Sequence, residues 1–129
     1  MKTTMKAAIL LLTTLLISTS QVVLADDLVE DCSAEIDAVR TELDIGFCVD
    51  NLARHKFGEK ICDGLYKKLD DADSKIEQHK FEDAEAKLAG FRKTLDSLAF
   101  RAKPIIDPST EYPPVNDELV TAETCVEGL

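Results

Sequence analysis

The stretch GLYKKLDDADSKIEQHKFEDAEAKLAGFRKTLDSL, residues 64–98, contains two apolar stripes separated by a short polar break. The apolar residues of each stripe follow one another at steps of three or four, which places their side chains on one face of an α-helix. With its flanking residues, the first stripe is Ile61, Leu65, Leu69, Ala72 and Ile76, and the second is Ala84, Leu88, Phe91, Leu95, Leu98 and Ala102. Because the break at His79 and Lys80 is short, the sequence predicts two antiparallel neighbouring helices.

Two further stripes flank this pair and repeat the same helical spacing. Prolines at 104, 108, 113 and 114 exclude a continuous helix from residues 104–114, so that segment is predicted to be a loop. Taken together, the four stripes predict an all-α fold, a small up-down-up-down four-helix bundle. The stripe before this pair is Leu28, Cys32, Ile36, Val39, Leu43 and Phe47, and the stripe after it is Val115, Leu119, Ala122, Val126 and Leu129.

The first 25 residues have the features of a secretory signal peptide. Lys2 and Lys6 provide a positive start, residues 7–17 are mostly apolar, and Ala25 ends a small-residue cleavage site. A membrane anchor is the alternative, but polar residues keep the apolar run shorter than the ~20 residues that a span needs. We therefore predict cleavage after Ala25 and a single secreted or periplasmic domain, residues 26–129, that is not inserted in a membrane.

The charge of the predicted mature domain restricts the class of its partners. Residues 26–129 contain 25 acidic and 13 basic side chains, which gives a net charge of −12. Such a surface repels the phosphates of nucleic acids and the head groups of anionic lipids. The sequence therefore predicts that neither nucleic acids nor membrane surfaces are partners.

All four cysteines lie in the predicted mature domain. An even number of cysteines in a small exported domain indicates disulfides, and the absence of a C-x-x-C pair disfavours a zinc or redox site. In an up-down-up-down bundle, Cys32 and Cys125 lie at one end, whereas Cys48 and Cys62 lie at the other. The predicted disulfides are therefore Cys32–Cys125 and Cys48–Cys62.

The sequence contains no recognisable catalytic or cofactor-binding motif. His55 and His79 lie in polar stretches, the serines belong to no nucleophile motif, and the glycines form no phosphate-binding loop. The acidic group at residues 70–77 lacks the glycine and distal glutamate of a calcium loop. Its residues fall on a regular helix, so we interpret it as a solvated face that Lys67, Lys68 and Lys75 partly balance. We predict no enzymatic activity, no cofactor and no metal site.

Residues 60–129 resemble the helical-hairpin repeat of the FIMAH domain. The tail NDELVTAETCVEGL, residues 116–129, is similar to the closing helix of that family. The resemblance implies an accessory helical domain of a secreted or surface-attached microbial protein, and it transfers no functional residues. We expect this domain to differ from the family in standing alone, without a larger enzyme or adhesin attached. The hairpin positions that carry the resemblance are Leu65, Lys68, Leu69, Ala72, Ile76, Ala84, Leu88, Phe91 and Leu95.

These observations predict a non-catalytic interaction module that binds another exported protein. Its contact surface is either the polar helix faces or the loop at residues 104–114. The apolar residues Ile105, Ile106 and Tyr112 either cap the end of the bundle or form a contact patch for the partner. Two other functions stay open: an inhibitor of an extracellular enzyme and a carrier of a small apolar ligand. The pectin methylesterase inhibitors of plants are four-helix bundles with two disulfides, but this chain is shorter and its cysteine spacing differs from theirs.

Overall fold

The computed structural model describes residues 27–49 and 56–129. The predicted signal peptide and the segment 50–55, which contains His55, lie outside these residues. Within the described part of the chain all regular secondary structure is helical, as the sequence predicts. No helix in this part is long and apolar enough to span a bilayer.

Five helical segments account for most of the described residues, and the first two, which one turn residue separates, are together called α1. Helix α1 covers residues 27–45 and, after a turn at Gly46, residues 47–49. Helix α2 is Gly58–Glu77, α3 is Phe81–Ala99 and α4 is Tyr112–Glu127.

The start of α4 differs from the prediction that the loop extends to residue 114. Pro113 and Pro114 lie in the first turn of α4. A helix tolerates proline there because the first backbone N–H groups have no acceptor within the helix. The connection from α3 therefore ends at residue 111.

The connection between α2 and α3 has the hydrogen bonds of a Schellman motif. His79 adopts a left-handed backbone conformation, with a φ of 58°. Its N–H donates to the carbonyl of Ile76 at 2.9 Å, and the N–H of Lys80 donates to that of Lys75 at 2.9 Å. This motif uses carbonyls that the end of a helix leaves without partners, and it stops α2 abruptly. The polar break in the sequence is therefore a tight turn between neighbouring helices.

The core consists of one face from each helix. Most of the predicted stripe residues are fully buried, and Ile106 joins them from the loop after α3. Two stripe positions were predicted wrongly: Leu28 is 46% exposed at the start of the described part of α1, and Ala102 lies beyond the end of α3 and is exposed. The largest fully buried side chains are Phe47, Phe91, Ile36, Leu43, Leu65, Leu69, Ile76, Leu88, Leu95, Ile106, Leu119 and Val39.

Polar contacts connect neighbouring helices outside the core. The Arg92 guanidinium of α3 shares its single Nε–H between the two carboxylate oxygens of Glu123 on α4, at 3.0 Å each, and donates from Nη2 to Oε1 at 2.5 Å. The backbones of α2 and α3 pack together, as do those of α3 and α4. The side-chain pairs that join α1 to α2 are Ser33 with Asp73, Arg40 with Asp70, and Asp44 with Tyr66.

Two disulfides connect α1 to its neighbours, in the pairs that the sequence predicts. Cys32 of α1 is bonded to Cys125 of α4, with Cα atoms 5.5 Å apart. Cys48, near the end of α1, is bonded to Cys62 of α2, with Cα atoms 5.8 Å apart. All four cysteines of the chain are therefore paired. The disulfides therefore join α1 covalently to α2 and to α4.

The two disulfides are expected to contribute unequally to stability. In the chain-entropy model, the loss of a crosslink between residues 93 apart costs about 4–5 kcal/mol, and between residues 14 apart about 3 kcal/mol. The double variant Cys32→Ser/Cys125→Ser should therefore unfold at lower urea concentration than Cys48→Ser/Cys62→Ser. Equilibrium unfolding of both variants and the oxidised parent measures the difference, and the opposite order would contradict it.

Candidate functional site

The predicted contact residues of the loop pack against the core. Ile106 is fully buried, and Ile105 and Tyr112 are half-buried against the core. The backbone N–H groups of Ile105 and Ile106 both donate to the carbonyl of Leu98, at 2.9 and 3.2 Å, which holds the loop against the end of α3. The capping interpretation fits Ile106, and a partner contact at Ile105 or Tyr112 stays a prediction.

The Tyr112 hydroxyl joins α4 to α3. It donates to the Asp96 carboxylate at 2.6 Å, and the ring packs edge-on against Phe100 with centroids 4.8 Å apart. Partial burial raises the pKa of Tyr112 because it disfavours the charged phenolate, and the hydrogen bond to Asp96 raises it further because it stabilises the protonated hydroxyl. The hydroxyl therefore contributes to the contact between two helices.

Tyr66 has the equivalent role between α1 and α2. Its hydroxyl donates to the Asp44 carboxylate. Partial burial and this carboxylate raise the pKa of Tyr66 well above its ordinary value. Both tyrosines of the chain thus donate to an aspartate on a neighbouring helix, a pairing for which the sequence contains no signal.

Part of the acidic group of α2 contacts α1, whereas the sequence predicted a solvated face. Asp70 accepts a hydrogen bond from Arg40, and Asp73 accepts one from Ser33, so both residues hold α1 against α2. His79 is exposed and serves the turn through its backbone. Across residues 27–49 and 56–129, no cluster of three or more His, Cys, Asp or Glu side chains has a geometry suitable for a metal ion.

A groove between α2 and α3, which we call the lysine groove, has a volume of about 390 Å³. Its lysines form no ion pair with a described carboxylate, although the sequence predicted that Lys67 and Lys68 would balance the acidic group. Three cations and one carboxylate make it locally positive. The residues that line it are Gly64, Lys67, Lys68, Asp71, Ala86, Lys87 and Gly90.

Both glycines of the lysine groove lie inside helices. A Cβ atom added to Gly64 or Gly90 would meet no other atom within 4 Å, so neither position is kept small by close packing. Glycine inside a helix costs roughly 0.5–1 kcal/mol relative to alanine. Each glycine therefore lowers the stability of its helix. Because neither glycine has a side chain, the groove between the two helices stays open.

Large apolar side chains are exposed at the end of the molecule held by the Cys48–Cys62 disulfide. Ile45, Val49 and Phe57, which we call the end patch, are 70%, 58% and 56% exposed. Ile45 and Val49 are four residues apart on α1, and Phe57 immediately precedes α2. From the sequence, Ile45 is a surplus apolar residue, with Val29 and Val120, that either serves a dimer interface or packs inside, but no sequence pattern indicated Val49 or Phe57.

The charges are divided between the two pairs of helices. Residues 27–49 and 112–127, which form α1 and α4, contain eleven acidic side chains and one basic side chain. Helices α2 and α3 contain ten acidic and seven basic side chains. The negative charge of the chain is therefore concentrated away from the lysine groove.

A scan against protein-family models, a search of curated proteins and a search of solved structures each found no match to this chain. The resemblance to FIMAH domains accordingly stays a prediction.

The hydroxyls of the two tyrosines should lose their protons at higher pH in the folded chain than in the unfolded chain. Their folded pKa values are raised, so their hydrogen bonds contribute full stability below about pH 10, the unfolded pKa, and lose it as the pH rises further. Tyrosinate absorbance in native buffer and in denaturant measures both titrations, since the chain has two tyrosines and no tryptophan. Tyr66→Phe isolates Tyr112, and a native titration near pH 10 would contradict the assignment.

Alanine should stabilise the fold at either glycine of the lysine groove. Gly64→Ala and Gly90→Ala should each raise the free energy of unfolding by about 0.5–1 kcal/mol, because the new methyl group meets open space. Gly46→Ala is the matched control and should gain no stability, since its Cβ would lie 3.0 Å from the Glu42 carbonyl oxygen. Urea unfolding provides the comparison, and equal gains at all three positions would refute this account.

Proposed function

We propose that this protein is a non-catalytic helical interaction module that binds another exported protein. The observation that carries the proposal is the end patch. Monomeric proteins rarely leave large apolar side chains clustered on their surface unless a partner covers them. Ile45 and Val49 are each more than half exposed on α1, whereas the predicted stripe residues of that helix, except Leu28, are buried. Phe57, just before α2, is also more than half exposed, and the Lys56 Nζ lies 5.6 Å from its ring centroid.

The arrangement proposed for the module is an up-down-up-down four-helix bundle. The turn at residues 78–80 supports opposite directions for α2 and α3. The Cys48–Cys62 disulfide joins the end of α1 to the start of α2, and Cys32–Cys125 joins the start of α1 to the end of α4. In an up-down-up-down bundle, each disulfide joins two helix ends that lie close together. In arrangements in which consecutive helices run parallel, the same ends would lie far apart.

The proposed location is outside the cytoplasm, in a periplasm or a secreted fraction. Two disulfides and the signal-like segment at residues 1–25 support it, because disulfides persist in oxidising compartments. The FIMAH-like resemblance supports an accessory role there. Inhibition of an extracellular enzyme is the same binding function with a hydrolase as the partner, and the identity of the captured protein distinguishes the two.

The end patch is tested by capture with the oxidised domain, residues 26–129, as crosslinked bait in the exported fraction of its host. Ile45→Asp should reduce recovery of the dominant partner about tenfold or more, because a carboxylate replaces the most exposed apolar side chain of the patch. The matched control is Val120→Asp on α4, where the parent side chain is 47% exposed on a different helix.

Circular dichroism establishes that both variants keep their helices. Equal recovery by Ile45→Asp and the parent would refute the end patch as the binding surface. If sedimentation shows that the parent is a dimer and Ile45→Asp is a monomer, the patch is instead covered by a second copy of the chain.

A further inference from the structure

We propose that the lysine groove binds an acidic segment of the partner protein, with carboxylate side chains placed between α2 and α3. The inference rests on the proposed function, because it names the chemistry of that partner. It concerns a surface separate from the end patch, formed by different residues.

The charge of the lysine groove favours a carboxylate ligand. Lys67 and Lys68 on α2 face Lys87 on α3 across the groove, and none of them is paired with a described carboxylate. The arginines Arg40 and Arg92, by contrast, are used in ion pairs between helices. The groove thus holds cations that the fold does not use, in a chain whose net charge is −10.

The shape of the lysine groove favours close approach by a chain segment. Gly64 and Gly90 lie on its two sides, and each leaves open space where a side chain would stand. A ligand backbone can therefore come nearer to the helices here than over a surface of larger side chains. Since packing within the fold does not require these glycines, room for a ligand accounts for their destabilising presence.

The groove is extended by further lysines on the same face of α2. Lys60 and Lys75 lie four residues before Gly64 and four residues after Asp71. From residue 60 to residue 75 a helix rises about 22 Å. A row of lysines of this length matches carboxylates spaced along a peptide segment better than it matches one compact anion. Asp71 within the groove also disfavours a ligand of dense negative charge.

The test is a titration of the ¹⁵N-labelled oxidised domain with a synthetic peptide of repeating Glu-Ala-Ala units, followed by amide chemical shifts. The amides of Gly64 and Gly90 should shift, and the affinity should fall as salt rises, because exposed charges are screened. A Gln-Ala-Ala peptide should cause no such shift. Absence of shifts at both glycines, or equal shifts with the glutamine peptide, would overturn the proposal.

Variants separate the groove from general attraction to a lysine. Lys87→Glu should weaken binding of the Glu peptide about fivefold to tenfold, since it replaces an attraction with a repulsion. Lys103→Glu is the control, because Lys103 is exposed beyond the end of α3 and does not line the groove, and it should bind within about twofold of the parent. Equal losses in the two variants would overturn the site.

A third variant tests the shape of the groove without risk to the fold. The double variant Gly64→Ala/Gly90→Ala should have a higher melting temperature but a lower affinity for the Glu peptide, because two methyl groups occupy the open space. Unchanged affinity in this variant would exclude the glycines from the site and overturn the proposal.

The outcome is distinguishable from failure of the proposed function. The peptide titration needs no natural partner. It therefore shows whether the lysine groove binds carboxylates even if capture recovers no protein. If capture succeeds and depends on Ile45 but is unaffected by Lys87→Glu, the interaction function stands and the lysine groove is overturned.

Discussion

Burial of one apolar stripe per helix is the constraint on which the other features of the structure depend. Leu69 of α2 and Leu95 of α3 are fully buried, and this fixes the rotation of each helix about its own axis. Once the rotation is fixed, the residues one or two positions away must lie at the lateral contacts or on the outer surface. The end patch and the lysine groove are therefore consequences of the same packing that forms the core.

The helices and the pairing of cysteines were predictable because both follow from periodicity. Steps of three and four residues select one face, and the predicted up-down-up-down order of the helices places each cysteine near its partner. The errors occur at the ends of elements. Leu28 has the correct spacing but lies at the edge of the stripe, in the first turn of the described part of α1. Ala102 falls after Phe100, where the chain leaves α3 to bring Ile105 to Leu98.

The candidate site was less predictable because it depends on distances across helices. The spacing of lysines along α2 indicates which face they share, but it does not show that Arg40 reaches Asp70 and leaves Lys67 unpaired. Gly64 and Gly90 are 26 residues apart in the sequence, and only the packing of α2 against α3 brings them to one groove. The carboxylate partners of the two tyrosines were hidden for the same reason.

The bond between Cys32 and Cys125 makes most of the domain a covalent ring of chain. The exposed stretch of the loop after α3, at residues 107–110, lies inside this ring. A peptidase that cuts there once opens the ring but releases no fragment, because α4 remains attached to α1 through sulfur. The nicked molecule keeps the core side chains of all four helices at high effective concentration, so the helix packing persists after a cut that would divide an uncrosslinked chain in two.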